Sequence, residues 1–144
     1  MKKRYRVGRS GIEGRGLFAT AKIRKGIRIV EYTGEIVDVA EANRRSARRK
    51  RVLLFDLGDG TYIDGNPDAP GPIVNHSCAP NCFTFGKGRR VFIVSKRAIA
   101  PGEELTYDYL IRQGRTLACR CGSPNCRGTL NRKPRRKSGK RRGR

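Results

Sequence analysis

The chain has 144 residues and carries 34 Lys and Arg against 12 Asp and Glu, a formal charge of +22; its length suits one domain. No run approaches the ~20 apolar residues of a membrane span, and no apolar segment follows Lys2-Lys3-Arg4 as a secretory signal would, so neither a membrane-spanning role nor a signal-peptide route is expected. Five cysteines, an odd number without a signal, argue against a disulfide scaffold and for a reducing compartment and a metal.

The charge is blocked. Residues 2–9 hold 5 basic side chains, residues 44–51 hold 6 and residues 132–144 hold 9; removing those 20 leaves 14 basic against 12 acidic residues. An ordinary body therefore carries three basic appendages. Such runs are solvated surface, and residues 132–144 are expected to be disordered. They also suit attraction to nucleic acid or another polyanion.

In chain order, Ser10 to Thr20 is glycine-rich, with Gly11, Gly14 and Gly16. It lacks the Gly-Lys-Ser/Thr of a phosphate loop, and a strand-like Leu17-Phe18-Ala19 follows where a dinucleotide fingerprint would open a helix. Taken alone it is a tight turn. Ile23 to Gly26 is a further turn, and Ile27 to Val37 is β-branched and predicts a strand. Asp38 to Arg51 predicts the helix, with Asp at its start and too little apolar content for a buried face. Val52 to Leu57, Gly58-Asp59-Gly60 and Thr61 to Ile63 predict a hairpin. Asn66 to Pro72 is a Pro- and Gly-rich loop. Cys82 to Phe85 and Arg90 to Ser95 predict a second hairpin, and Ala100 to Glu103 turns into Leu105 to Tyr109. Short strands, glycine turns and one helix make a mainly β, α+β domain.

Two stretches carry chemistry. Cys119, Cys121 and Cys126 lie in C-x-C-x4-C spacing, which cannot close a tetrahedral zinc site without a fourth ligand; Cys78 and Cys82 are the available thiols. The second stretch, Asn75-His76-Ser77-Cys78, contains the only histidine. Tyr107 and Tyr109 alternate along a strand and share a face, as packing residues or as the wall of an aromatic channel.

The sequence resembles the SET-domain protein-lysine methyltransferases with the zinc-binding module that follows this domain in many members. Five motifs carry the resemblance in the family's order: Gly14-Arg15-Gly16-Leu17-Phe18-Ala19, Glu31-Tyr32-Thr33-Gly34-Glu35, Asn75-His76-Ser77-Cys78, Glu104-Leu105-Thr106-Tyr107-Asp108-Tyr109 and the cysteine cluster. The resemblance implies a SET fold of short strands in small sheets with a carboxy-terminal pseudoknot. It implies a basic amino-terminal arm at 1–9, a SET domain at 5–112, a post-SET zinc module at 113–131 and a basic tail at 132–144.

It also implies S-adenosylmethionine held by the backbone around Arg15 and Gly16, with Arg15 a partner for its carboxylate. Asn75 would bind its amino group, His76 would contact adenine through backbone, and Leu130 would pack near the adenine. Tyr109 matches the catalytic tyrosine, which also borders the cofactor; Tyr32 lines the lysine channel, and Tyr107 holds the switch position that limits methyl number. Mainly monomethylation, with some dimethylation, is the implied product. Structural Zn2+ would be held by Cys78, Cys119, Cys121 and Cys126, leaving Cys82 a free thiol. A catalytic histidine is not part of the pattern, and His76 has no Asp or Ser constellation around it.

The chain departs from the family in reading Gly71-Pro72-Ile73-Val74 ahead of Asn75, where many members have Arg-Phe-x, which bears on one pocket wall. No zinc-bearing segment precedes the SET motifs and the insert after Val37 is short, so little remains to read a long substrate sequence.

The implied substrate is a basic, histone or histone-like protein, with Lys133, Lys137 and Lys140 of the tail as further acceptors. Nucleic acid bound through the basic arms would relieve repulsion between enzyme and substrate. The expected place is intracellular: cytoplasm or nucleoid in a bacterium, chromatin in a eukaryotic nucleus, or delivery into a host as an effector. Organism, substrate lysine and oligomeric state are not legible. The alternative class is a non-catalytic, zinc-containing nucleic-acid-binding protein. Against it stand the wide separation of Cys78 from Cys119 and a tyrosine pair that such a protein would not need.

Overall fold

Strand β1 (Tyr5–Arg9) pairs antiparallel with β2 (Arg15–Ala19), Tyr5 opposite Ala19 and Arg9 opposite Arg15. This pair opens a computed structural model that describes residues 3–49, 51–111 and 116–131. The basic tail at 132–144, with its three lysines, lies outside the described residues. The two-residue period of a strand puts Leu17 and Ala19 of β2 on one side, where they are buried.

The stretch Ile27 to Val37 is not one strand. It divides at Thr33 into β3 (Arg28–Tyr32) and β4 (Gly34–Asp38), which enter different sheets. The cause is Gly34: a Cβ there would lie 2.0 Å from the carbonyl oxygen of Asp64. Only glycine lets β4 approach so closely, and Thr33 meanwhile accepts a hydrogen bond from the Asn66 N–H at 3.0 Å. β4 pairs with β6 (Thr61–Gly65), whose other edge takes β5 (Leu54–Asp56). In the hairpin between β5 and β6, the Asp56 and Asp59 carboxylates accept from the Gly58 and Thr61 N–H groups. The third sheet runs β3, β9 (Arg90–Ser95), β8 (Cys82–Lys87), all antiparallel. The fold is thus mainly β in small sheets, as the sequence implies.

Helix α1 (Val39–Ser46) is shorter than the predicted Asp38 to Arg51. Asp38 caps its start, accepting the Glu41 N–H at 2.9 Å. Its end is set by tertiary contacts. The Arg48 and Arg49 amides bond three residues back, tightening the last turn. Arg49 and Arg45 both reach the Asp64 carboxylate of β6, Arg45 Nη1 at 2.6 Å. Only Ala42 of α1 is buried, so this ion network, rather than an apolar stripe, seats the helix.

The Arg49 hydrogen bond holds the Asp64 carboxyl below the usual carboxylate range. Its folded pKa lies below its unfolded one, so its contribution is present above an unfolded pKa of ~3.9 and is lost as pH falls through the folded value. Asp64→Asn is expected to lower unfolding free energy by about 2 kcal/mol at neutral pH, read by urea denaturation. Equal midpoints and slopes would show that other contacts hold α1.

Residues 70–72, read as loop, join Ile73 in a one-turn helix, α2 (Pro70–Ile73), because Pro70 pre-sets the helical φ at its first position. The core gathers Leu17, Ile23, Val74, Ile93, Ile99 and Leu105, all fully buried. Among the described residues no helix is long and apolar enough to cross a membrane.

Candidate active site and cysteine centre

Two two-residue strands bring the motif stretches together. β7 (Asn75–His76) pairs parallel with β10 (Thr106–Tyr107), Thr106 opposite Asn75 and Tyr107 opposite His76. Buried Asn81 clamps the join: its Nδ2 donates to the Glu104 carbonyl at 2.9 Å and its Oδ1 accepts the Thr106 N–H at 2.9 Å. The expected strand through Tyr109 stops at Tyr107. The Tyr109 N–H instead donates to His76 Nδ1 at 3.0 Å, and Leu110 follows at φ 55°.

Asn75 faces the glycine-rich loop. Four acceptors surround its Nδ2: Ser10 Oγ and the Glu13 carbonyl at 3.1 Å, the Arg15 carbonyl and Glu104 Oε2 at 2.9 Å. An amide nitrogen carries two hydrogens, so acceptors outnumber donors, and a cation with several N–H groups fits such a cluster. Ser10 Oγ also donates to the Glu104 carboxylate. Gly16 leaves the Glu104 carboxylate in place here, because a Cβ would stand 2.2 Å from Glu104 Oε2 and displace it. Ser10 and Glu104 received no role from the sequence; only the β2–β10 approach reveals them. The Arg15 guanidinium is exposed, with Nη2 3.2 Å from the Pro67 carbonyl and 4.0 Å from Asp68.

Beyond this cluster lies a cleft of about 530 Å³ lined by Tyr32, Phe55, Tyr107 and Tyr109, with Leu117 from the cysteine segment. Ring centroids are 4.9 Å apart for Tyr107 and Tyr109 and 5.4 Å for Tyr32 and Phe55. The Tyr109 hydroxyl donates to the Val74 carbonyl at 2.7 Å, and the Tyr32 hydroxyl to the Leu53 carbonyl at 2.6 Å. Burial raises the pKa of Tyr32, Tyr107 and Tyr109, so each phenol stays neutral, and those of Tyr32 and Tyr109 direct their protons at carbonyls. Phe55 was not singled out in the sequence; one Phe in a predicted strand carries no local signal.

His76 joins the two halves of the site. Because Nδ1 accepts the Tyr109 N–H, the ring proton belongs on Nε2, which lies 3.4 Å from Cys78 Sγ. Burial lowers its pKa to about 4, against the pull of Asp108. Asp108 in turn is paired with Arg127 at 2.8 Å. The imidazole is a neutral strut, engaged at both nitrogens.

Cys78, Cys119, Cys121 and Cys126 place their sulfurs within 4.8 Å of one another. Cys78 and Cys119 are 3.8 Å apart, close to the ~3.8 Å edge of a tetrahedron with ~2.3 Å zinc–sulfur bonds. Backbone N–H groups point at the sulfurs: Arg127 to Cys78 at 3.3 Å, Gly128 to Cys126 at 3.4 Å and Cys78 to Cys121 at 3.5 Å. Such donors favour thiolates, and the set can hold a metal ion. Cys82 is elsewhere, buried in the core, its thiol pushed up to about 12 by burial. Leu130 ends a short turn-back, its N–H on the Leu117 carbonyl at 2.9 Å and its own carbonyl accepting from Arg127 at 3.1 Å.

The sequence model of the SET domain matches residues 14–110. Histone H3-lysine(4) N-trimethyltransferase ATX1 of Arabidopsis thaliana is 38% identical over 142 residues, 90% of this chain and 13% of that protein. Histone-lysine N-methyltransferase 2D of Homo sapiens is 36% identical over 137 residues, 87% of this chain and 2% of that protein. The H3 lysine-4 specific histone-lysine N-methyltransferase of Schizosaccharomyces pombe is 37% identical over 142 residues, 90% of this chain and 15% of that protein. The chain therefore spans a small part of the length of these relatives.

Proposed function

The chain belongs to the SET-domain family, and from that premise we propose that it is a protein-lysine N-methyltransferase using S-adenosylmethionine. The observation that carries this reading is the tyrosine-walled cleft, whose Tyr109 hydroxyl bonds the carbonyl of Val74, the residue next to Asn75 and its acceptor cluster. S-adenosylmethionine, when bound, supplies an electrophilic methyl on a sulfonium. Its α-ammonium group matches the surplus acceptors of Ser10, Glu13, Arg15 and Glu104. Gly16 would let the backbone stay close to that position, Arg15 would take the carboxylate, the His76 backbone would contact the adenine, and Leu130 would pack near it.

The chain's own work is on the lysine. Free lysine has a pKa of ~10.4, so near neutral pH roughly one in a thousand is unprotonated. A cleft walled by Tyr32, Phe55, Tyr107 and Tyr109 disfavours the ammonium and raises the neutral fraction. The Tyr109 oxygen, held in place by the Val74 carbonyl, orients the amine for in-line attack. Zn2+ held by Cys78, Cys119, Cys121 and Cys126 would be closed and structural, tying residues 113–131, as a post-SET module, to the SET domain at 5–112. The relatives' names support a histone or histone-like substrate, and hence chromatin if the organism is eukaryotic.

The test is transfer of labelled methyl to core histones and to the chain itself, with and without DNA. Label in a histone band supports the reading, and label confined to the chain favours its own tail as substrate. Silence from folded, zinc-loaded protein would return a non-catalytic, nucleic-acid-binding role. Tyr107 sets the product: its hydroxyl takes room that a further methyl needs, so the wild type is expected to stop mainly at monomethyl-lysine. Tyr107→Phe should move product to di- and trimethyl-lysine in mass spectra of the modified peptide. An unchanged distribution would remove Tyr107 from that role.

A further inference from the structure

Strand β8 presents Phe83 and Phe85 to solvent at 44% and 42% exposure. The alternation that turns Cys82 into the core turns both rings to the opposite face of the β3-β9-β8 sheet. Register extends that face across the sheet. Phe85 is opposite Phe92, Lys87 opposite Arg90, Phe83 opposite Val94, and Arg28 of β3 also lies opposite Val94. The side chains form layers. The Arg28 guanidinium lies 5.6 Å from the Phe85 centroid and 4.5 Å from that of Phe92, and Arg90 lies 5.0 Å from Phe92. The acidic Glu31 on the same face is paired with Arg90 at 2.8 Å.

We propose that this sheet face is a stacking platform for single-stranded nucleic acid. Exposed rings on a sheet face, interleaved with guanidinium planes and backed by a chain of charge +22, match what unpaired bases on a polyanionic backbone require. Aliphatic side chains, which a protein partner's apolar surface would seek, are scarce here: Val94 is buried, and the large exposed apolar groups are the two phenylalanines. A duplex hides its base faces, so the platform selects unpaired strands, whereas the basic arms attract any polyanion. The intervening Thr84 faces the other way and lines the tyrosine cleft. A bound strand would thus lie across one sheet from that cleft. The inference is independent of methyl transfer.

The test uses the full chain at about 0.15 M salt. Its probes are short labelled oligothymidylate, oligouridylate, an abasic strand of the same length, and a duplex. At least one base-bearing strand is expected to bind about tenfold or more tighter than the abasic strand, and tighter than the duplex. Phe83→Ala with Phe85→Ala should lower that affinity roughly 10- to 100-fold, to the abasic level, and leave abasic binding unchanged. Phe83→Tyr with Phe85→Tyr should restore it. Arg28→Lys keeps the charge but loses the planar stack; should the alanine pair misfold by circular dichroism, its several-fold selective loss serves as the readout. Equal binding of base-bearing and abasic strands, preference for duplex, or equal effects of the substitutions on all probes would overturn the proposal and leave the face to a protein partner.

Discussion

Tyr109→Phe is expected to lower the single-turnover rate of methyl transfer by roughly 100-fold or more, the scale of losing one positioned polar group in a dry site. S-adenosylmethionine affinity should stay within about threefold, because on this reading the hydroxyl acts on the amine and the charge that changes there. The substitution removes one oxygen and keeps the ring, so the contacts with Tyr107 at 4.9 Å and His76 at 5.4 Å persist. What is lost is an oxygen fixed by its bond to the Val74 carbonyl at 2.7 Å. Leaving that carbonyl unpaired costs about 1 kcal/mol of stability, far too little to unfold the domain. A variant with normal turnover but weakened cofactor binding would make Tyr109 a wall of the cofactor site instead.

The second large effect concerns the cysteine centre. Protein purified without chelator should carry about one equivalent of zinc, and stripping it should lower methyl transfer by more than about 100-fold, with recovery on adding zinc back. Among the described residues, Arg127 to Asp108 and the parallel bridge from Ile111 to Asn131 tie residues 116–131 to the body beside the sulfur cluster. Leu117, which lines the cleft, sits on that segment. His76 spans from Cys78 to the Tyr109 amide and would connect a bound metal to the proposed chemistry. Cys119→Ser should reproduce the stripped state, whereas Cys82→Ala should keep its zinc. Zinc far below one equivalent, or full activity in the stripped protein, would remove the centre from this role.

Much of this was legible in the residues because it is local. The β5–β6 and β8–β9 hairpins follow from alternation and from Asp and Gly in the turns. The cap of α1 follows from Asp38, and the position of the site from motifs whose order survives in one chain. Cys78 over Cys82 is implied by family likeness alone; in the structure the Cys78 sulfur lies among those of Cys119, Cys121 and Cys126, whereas Cys82 is buried in the core.

What only the tertiary structure decided depends on residues distant in sequence. The break at Thr33 needs the Asp64 carbonyl against Gly34, and the early end of α1 needs the Asp64 carboxylate beside Arg45 and Arg49. The acceptor cluster needs Ser10, Arg15, Asn75 and Glu104 brought together by the approach of β2 to the parallel β7–β10 pair, which no local pattern predicts. Phe55, Phe83 and Phe85 look alike as letters in strands. One lines the cleft and two stand in solvent, because which face of a strand is covered is settled by the sheets and loops packed against it, not by the strand itself.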